Sequence, residues 1–294
     1  MISLFSGILG LAAGSFLNVC SMRFDPAWAL PAARLFGGRS RCPQCRHTLR
    51  WYELLPILSF IIQSGRCRAC RATLTFQYPF VELLVAGLFA ALAIHLQSLF
   101  GFAHLASFGA PWWLFFVKLA LWLIVAWILV LVALIDLKHF IIPDGLTGAL
   151  AVLGVLWSII LFFEPSPAPP HSFLGFYAIP FGLFDSLITG RLAAALFGLL
   201  FFGGIVFFSR GRGMGVGDVK LMMALGLLFG WPDILLIAML SFIIGSLIAL
   251  PLLFMRRLTL RARVPFGPCI VLASFITLFF GFRILEGYFM LFNG

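Results

Sequence analysis

Long apolar runs separated by short polar or glycine-rich stretches dominate the pattern of this chain. A helix needs about 20 mostly apolar residues to cross a bilayer, and by that criterion we interpret eight runs as spans, of which the sixth is short. They cover residues 1–22, 79–99, 112–137, 146–163, 190–208, 219–231, 233–255 and 264–281. The pattern therefore predicts an all-α integral membrane protein with about eight transmembrane helices.

Composition supports the same fold class. Hydrophobic residues make up 63% of the 294 positions and charged residues 10%, which excludes an ordinary water-soluble globular domain. The first run has the length of a cleaved secretory signal peptide, but it lacks a basic n-region before the apolar stretch. We therefore expect this run to be a transmembrane helix.

The positions of Lys and Arg predict the orientation of the spans. About seventeen of the twenty lie in connections on one side, which the positive-inside rule assigns to the cytoplasm. Both termini are then expected outside, and the polar segment 23–78 is a cytoplasmic loop between a first helix, 1–22, and a polytopic membrane domain, 79–294. This bias accounts for the net charge of +10 without nucleic acid. No internal repeat is expected.

The loop after the first span contains two Cys-x2-Cys pairs separated by 21 residues, Cys42, Cys45, Cys67 and Cys70. This spacing is close to that of four-thiolate zinc sites built from two knuckles. A reducing cytoplasm argues against disulfides, although a redox dithiol or an iron–sulfur site stays open. Metal binding would then supply much of the folding free energy of a small loop. Cys20 and Cys269 stand alone in apolar runs and are interpreted as small buried hydrophobes.

Most of the ten acidic residues have ordinary explanations. Glu82 is interpreted as a helix-start acid of the second span, and Asp144 as the cap of the fourth helix. Asp136 is different, because it ends the third span, where the helix dipole disfavours a negative charge. Asp218 is also different, because it opens the sixth span. Ionisable groups at membrane depth are functional candidates.

Four glycines precede Asp218, namely Gly211, Gly213, Gly215 and Gly217. Glycine at this density favours a strand-like or unwound segment, or the close approach of another backbone. With the spans as drawn, Asp136 and Asp218 lie at similar depth. Two carboxylates in a poorly solvated site share one proton and so provide a base and an acid, as in an aspartic protease. An ion or proton pathway is an equal alternative from the residues alone.

Several ordered motifs are similar to one family. They are "GSFLNVCSMR" at 14–23, "WYELLPILSF" within the Cys segment, "LIDLKHFIIPD", "GVGDVKLMMALG" and "VPFGPCI" at 264–270. "GVGD" matches the GxGD motif of intramembrane aspartic proteases, and the set resembles the bacterial type IV prepilin peptidases, which also act as N-methyltransferases. The resemblance implies eight spans with the N-terminus outside, and Asp136 and Asp218 as the catalytic pair. We expect Gly215, Gly217, Asp144 and Lys220 to support the substrate or its loop.

The resemblance also implies a reaction in two steps at the cytoplasmic face of the bacterial inner membrane. The basic leader of a type IV prepilin or type II secretion pseudopilin is cut after a glycine, and the new N-terminal residue is methylated from S-adenosylmethionine. The four cysteines belong to a cytoplasmic domain of members that methylate. No glycine-rich nucleotide fingerprint marks the methyl-donor site. Glu53, the acid between the Cys pairs, is the candidate for contact with the donor.

Overall fold

The computed structural model describes residues 1–25, 38–42, 44–101, 111–163, 172–175, 177–178, 186–211, 213–255 and 264–292. Helices dominate these residues, and β-structure within them is limited to isolated bridges. The helices are α1 Ile2–Arg23, α2 Leu58–Ile62, α3 Gln77–Phe100, α4 Trp113–His139, α5 Asp144–Phe162, α6 Leu187–Phe208, α7 Val216–Phe229, α8 Asp233–Phe254 and α9 Gly267–Phe292. The chain forms two compact units, Met1–Leu131 and Val132–Gly294.

Seven helices of the described chain are long and apolar enough to cross a membrane, all except α2 and α7. This confirms the all-α, multi-pass membrane class. Helix α7 occupies the predicted sixth span but has only 14 residues, about 21 Å of helix, against a hydrocarbon core of about 30 Å. The predicted sixth span is therefore a short helix, and α9 continues to Phe292, beyond the predicted end of the eighth span at 281.

In the first unit, α1 packs closely on α3 because glycines of α1 face the α3 backbone. A Cβ atom added to Gly10 would lie 2.7 Å from Ala86 Cα, and one added to Gly14 would lie 2.8 Å from Glu82 Cα. Small residues allow this approach between helices in lipid, where there is no hydrophobic force to drive association. The loop with the cysteines connects the C-terminal end of α1 to the start of α3.

In the second unit, the short helix α7 packs against α5 and α6. Glycines again allow two helix backbones to approach closely. A Cβ atom on Gly226 of α7 would lie 2.6 Å from the carbonyl carbon of Ala194 in α6. One on Gly198, in the π-helical turn of α6, would lie 2.7 Å from Met222 O in α7. A helix too short to span the bilayer is thus enclosed by protein, and its register is fixed by backbone contact.

A buried polar cluster holds the C-terminal end of α7. Arg191 of α6 donates to Leu228 O and, at 2.7 Å, to Leu227 O, and so binds carbonyls that have no partner within their own helix. Asp233, the fully buried first residue of α8, interacts electrostatically with Arg191. Asp233 also accepts hydrogen bonds from Ser172 Oγ and from the backbone N–H of Phe173. The end of α7 that lies away from Asp218 is therefore anchored.

Gly226→Ala is expected to destabilise the second unit, because the new Cβ atom would clash with the Ala194 backbone. Overpacking of this kind lowers the free energy of unfolding by about 1–3 kcal/mol. The measurement is the midpoint of thermal unfolding in detergent, which should fall. Gly204→Ala is the matched control, since a Cβ atom there meets nothing within 4 Å. Equal midpoints for the two variants would contradict the close packing of α7 on α6.

Candidate active site and metal centre

Asp136 lies at the C-terminal end of α4 and is only 5% exposed. Its Oδ2 accepts a hydrogen bond of 2.9 Å from the N–H of Gly267, the first residue of α9. The first N–H groups of a helix have no intrahelical partner and carry partial positive charge, so they stabilise a carboxylate. A Cβ atom on Gly267 would lie 2.7 Å from Asp136 Oδ2. Glycine is therefore required for this contact.

Asp218 lies in the first turn of α7 and is 7% exposed. Its Oδ2 accepts a hydrogen bond of 3.1 Å from the N–H of Gly215, which is extended at φ −84° and ψ 154°. Its Oδ1 is buried and has no hydrogen-bond partner in the described part of the chain. The expectation of an unwound opening is right for Gly215 but wrong for Asp218, which is helical because it closes the N-terminal turn of α7.

Helices α4, α7 and α9 bring the two aspartates together within the second unit. Asp136 and Asp218 are close enough for their charges to interact, and both interact with the thiol of Cys269 in the first turn of α9. Two carboxylates in a buried site, one with an unpartnered oxygen, can hold a water molecule or bind a carbonyl group. Their catalytic role remains a prediction.

Gly267→Ala is expected to slow any reaction that depends on Asp136 by about 10- to 100-fold, because a displacement of about 1 Å in a catalytic group has an effect of that size. The measurement is the initial rate of substrate cleavage by the purified protein. Gly148→Ala in α5 is the control, since a Cβ atom there meets nothing within 4 Å. Wild-type rates for Gly267→Ala would show that the N–H contact to Asp136 is dispensable.

The residues expected to support the site lie on α5 and α7. Lys220 Nζ binds Asp144 Oδ1 at 2.8 Å in an ion pair whose side chains are 44% and 73% exposed. Asp144 is in the first turn of α5, but Pro143 is the capping residue and makes no side-chain cap. The interpretation of Asp144 as the helix cap is therefore wrong, because Lys220 holds its carboxylate. A Cβ atom on Gly217 would lie 3.0 Å from Ile142 Cβ, so this glycine lets α7 approach the segment before α5.

The four cysteines of the first unit meet in one cluster. Each can offer a sulfur within 4.8 Å of the others, with Sγ–Sγ distances of 3.9 Å for Cys42–Cys70 and 4.0 Å for Cys45–Cys67. Zn–S bonds of about 2.3 Å in a tetrahedron give sulfur–sulfur distances of about 3.8 Å. The donor set and its spacing therefore fit a structural four-thiolate zinc ion.

The two halves of this cluster repeat the same backbone turn. Cys42 N–H donates to His47 O and Arg46 N–H to Cys42 O, while Cys67 N–H donates to Ala72 O and Arg71 N–H to Cys67 O. Antiparallel bridges join Arg41 to Thr48 and Arg66 to Thr73. The segments 41–49 and 66–74 share the sequence pattern RCxxCRxTL. The expectation of no internal repeat is therefore wrong, because a nine-residue repeat builds the two knuckles.

The environment of Cys42 favours its metal-binding form. Burial raises the pKa of this thiol, but the backbone N–H groups of Cys45 and Gln44 and the neighbouring thiols outweigh burial, so that its pKa falls to about 7. Thiolate, not thiol, is the zinc ligand. The other thiol of this knuckle shifts the opposite way: the backbone N–H of His47 lowers the pKa of Cys45, but burial and hydrogen bonds to the other cluster thiols raise it to about 11. One thiolate within the cluster is therefore favoured near neutral pH, and the neighbouring thiols stabilise it.

Comparison with known proteins places the chain in a family. Models of the Bacterial Peptidase A24 N-terminal domain and of the Type IV leader peptidase family match residues 8–96 and 123–250. The "Prepilin leader peptidase/N-methyltransferase" of Stutzerimonas stutzeri is 32% identical over 96% of this chain and 91% of its own. The chain belongs to the type IV leader peptidase family. Proteins of the same name from Aeromonas salmonicida (strain A449) and Bacillus subtilis (strain 168) are 33% and 32% identical, each over 96% of this chain and over 91% and 95% of theirs.

No solved structure matches the chain. The family membership confirms the resemblance that the sequence motifs indicated. The N-terminal family model contains the four cysteines, and the peptidase model contains both Asp136 and Asp218. The division of the family models thus follows the two chemically distinct clusters.

Two buried glutamates lie beside the cysteine cluster. Glu53 accepts a hydrogen bond of 2.8 Å at Oε2 from the N–H of Arg50. Glu82 of α3 accepts one of 2.7 Å at Oε2 from the N–H of Ile57 and a second bond from the Ser15 side chain. Glu82 lies in the second turn of α3 and ties the loop to α1 and α3, so its interpretation as a simple helix-start acid is wrong.

Sequence reasoning missed the contacts of two residues, Gly267, which was noted only as part of a motif, and Glu82, which was interpreted as a helix-start acid. The interpretation of Cys269 as a small buried residue is confirmed, since it is 3% exposed, and the structure adds that it lies beside both aspartates. The glycine in "VPFGPC" was the available signal for Gly267, because glycine often stands where another group must approach the backbone closely. The contact of Glu82 with Ile57 has no local signal, since 25 residues separate them.

Proposed function

We propose that this protein removes the leader peptide from type IV prepilins and type II secretion pseudopilins and then methylates the new N-terminal residue. The observation that carries the first activity is the pair of buried aspartates from α4 and α7, with Asp218 Oδ1 unpartnered among the described residues. Relatives named prepilin leader peptidase/N-methyltransferase over nearly the whole chain support this substrate class and both steps.

In the proposed cleavage, Asp136 and Asp218 share one proton. The ionised carboxylate takes a proton from the attacking water, while the protonated carboxyl donates a hydrogen bond to the scissile carbonyl. The N–H of Gly267 orients Asp136, and the N–H of Gly215 orients Asp218. The unpartnered Oδ1 of Asp218 is the atom free to meet water or the substrate. Gly217, Asp144 and Lys220 support the N-terminal turn of α7 from the α5 side.

The proposed methylation uses S-adenosylmethionine as donor and requires the zinc-bound loop. The four cysteines fit structural zinc by their mutual distances, and Glu53 is the candidate acid for contact with the donor. The donor supplies a methyl group, and the amine created by cleavage receives it.

The proposed location is the bacterial inner membrane, with the N-terminus outside and both clusters on the cytoplasmic side. The distribution of Lys and Arg supports this sidedness. Prepilin leaders are basic and precede an apolar helix, so a scissile bond at the inner surface would meet the aspartates there. The apolar stem of the substrate would remain in the lipid bilayer.

The test is intact-mass analysis of a purified prepilin after incubation with this protein in detergent, with and without S-adenosylmethionine. Loss of the leader, plus one methyl group only when the donor is present, is the expected result. An unchanged substrate mass with folded, zinc-loaded protein would reject this substrate class. Proton-coupled transport, the alternative use of buried acids, would then be measured in proteoliposomes.

A further inference from the structure

The described part of the cysteine loop exposes an apolar face on α2 and just before it. Four aliphatic residues form this α2 face, and all are exposed: Leu55, Leu58, Ile61 and Ile62. Leu58, Ile61 and Ile62 are spaced three and four residues apart, which places them on one side of the helix. Ile61 and Ile62 are 65% and 77% exposed. A contiguous apolar face of this kind marks an interaction surface.

Arginines border the α2 face across an open cleft of ≈ 420 Å³. Leu55 and Ile62 line the cleft on the apolar side. Three arginines of the second knuckle line it as well, namely Arg66, Arg68 and Arg71. The guanidinium group of Arg68 also lies over the ring of Tyr52, 5.5 Å from the ring centroid. Aliphatic side chains beside guanidinium groups suit a molecule that has an acyl chain and an anionic headgroup.

The charge of the loop has one sign. Residues 38–76 contain seven arginines and a single acidic residue, Glu53. Glu53 is buried and accepts the N–H of Arg50, so its carboxylate is turned away from the surface. A four-thiolate zinc site would offset only part of the positive charge. Electrostatics therefore favours an anionic partner for this loop.

The α2 face lies next to the start of a membrane-spanning helix. The ring of Phe60 in α2 contacts that of Phe76, with the centroids 6.2 Å apart, and Phe76 directly precedes α3. Phe76 and Phe80, one turn further along, are both exposed. Since α3 is long and apolar enough to cross a membrane, exposed aromatic side chains at its end are typical of the membrane–water interface. Lipid that covers Phe76 and Phe80 would also lie beside α2.

A strained turn fixes the direction of α2 relative to α3. Ile57 adopts φ +60° and ψ −50°, with a 2.5 Å hydrogen bond from Leu58 N–H to Pro56 O. This is a γ-turn of the rare form, and a β-branched residue at positive φ is an outlier. The buried carboxylate of Glu82 in α3 accepts the N–H of Ile57 at 2.7 Å. Strain of this kind persists where the surroundings over-determine it, so α2 is held in one orientation at the start of α3.

We propose that the α2 face, together with Arg66, Arg68 and Arg71, docks on anionic phospholipid at the membrane surface beside α3. The aliphatic side chains enter the boundary between headgroups and acyl chains, and the guanidinium groups bind the headgroup phosphates. The loop that carries the four cysteines is then a peripheral membrane element and not a domain surrounded by water. This proposal does not depend on the proposed reaction, since it concerns only contacts between the loop and lipid.

The test is photo-crosslinking in vesicles of phosphatidylethanolamine and phosphatidylglycerol, without a pilin substrate. The full-length, zinc-loaded protein carries the substitution Ile62→p-benzoylphenylalanine, and adducts are identified by intact mass. Phospholipid adducts are expected, enriched in phosphatidylglycerol over its share of the vesicle. The same probe at Phe80 is the positive control. The probe at Gln44, an exposed residue of the first knuckle, is the negative control.

Two variants separate the contribution of charge from that of the apolar side chains. Joint replacement of Arg66, Arg68 and Arg71 by glutamine is expected to lower phosphatidylglycerol adducts at position 62 at least about 5-fold, because one arginine beside an anionic surface already changes binding by about that factor. Ile61→Asp is expected to lower the adducts of both lipids, because a carboxylate opposes insertion among acyl chains. Zinc per chain, measured in each variant, shows whether the loop is folded.

The matched control removes the same charge from residues that do not line the cleft: Arg39, Arg41 and Arg46. Their replacement by glutamine should lower the adducts less. Equal losses in the two arginine variants would overturn the assignment to the cleft. Adducts at position 62 that are no more frequent than at position 44 would overturn the docking itself. Adducts with the mass of a second chain would do the same, since the α2 face would then be an interface between copies.

Discussion

Asp218→Asn is expected to reduce leader cleavage by at least about 10³-fold, since removal of a catalytic acid or base has an effect of this order. Asp136→Asn is expected to do the same. Asparagine can still accept the N–H of Gly215 or Gly267, so each variant should fold and insert normally. The measurement is the single-turnover rate of leader loss from a purified prepilin, followed by intact mass.

Asp144→Asn is the matched control for both substitutions. Its carboxylate is exposed and paired only with Lys220 in the described structure, and exposed ion pairs contribute about 0–1 kcal/mol. Its cleavage rate should stay within about 5-fold of wild type. Cleavage that persists in Asp218→Asn or Asp136→Asn would reject the shared-proton pair. Methylation of a pilin that is already cut should survive in Asp218→Asn, because the Cys cluster belongs to the other unit.

Replacement of Cys42 and Cys70 by serine is expected to remove zinc and to abolish methyl transfer. One ligand is lost from each knuckle, and the binding of structural zinc contributes about 10–16 kcal/mol to the folding of small sites. Methyl transfer should fall at least about 100-fold, whereas cleavage should fall less than about 10-fold. Zinc per chain is measured by atomic emission spectroscopy, and methyl transfer with S-adenosylmethionine and a pre-cut pilin.

Cys20→Ala provides the control for the double variant. Cys20 is buried in α1 and is not part of the four-sulfur cluster, so zinc content and methylation should not change. Chelator treatment of the wild type should reproduce the double variant. Absence of zinc from protein purified without chelator, or full methylation after zinc removal, would reject the structural role of the metal.

The transmembrane helices could be predicted from local sequence because a long apolar segment in lipid has to be helical. Backbone polar groups must be satisfied within each segment, so apolar runs of sufficient length become helices. The exception is α7, where Gly226 and the flanking glycines place a short helix inside protein instead of across lipid. The length of the run hinted at this, but only the packing of α5 and α6 around α7 decided it.

The site was predictable to the extent that its residues carried a local anomaly. Asp136 has an unfavourable charge at a helix end, Asp218 follows a run of glycines, and the cysteines have metal spacing. The prediction that Asp144 caps its helix was wrong because an aspartate after proline and before glycine is equally suited to a helix cap and to an ion pair. Its partner Lys220 lies 76 residues away, so the choice is tertiary.

The sequence by itself determined the membrane class, the metal-binding pattern and the identity of the two candidate acids, because each depends on residue types at short spacing. Tertiary structure alone decided that Gly267 binds Asp136, that Cys269 lies beside both acids, and that Glu82 holds the strained turn at Ile57. These contacts join helices that are distant in sequence. Their geometry depends on how closely glycine lets two backbones approach, and no local pattern of residues encodes that distance.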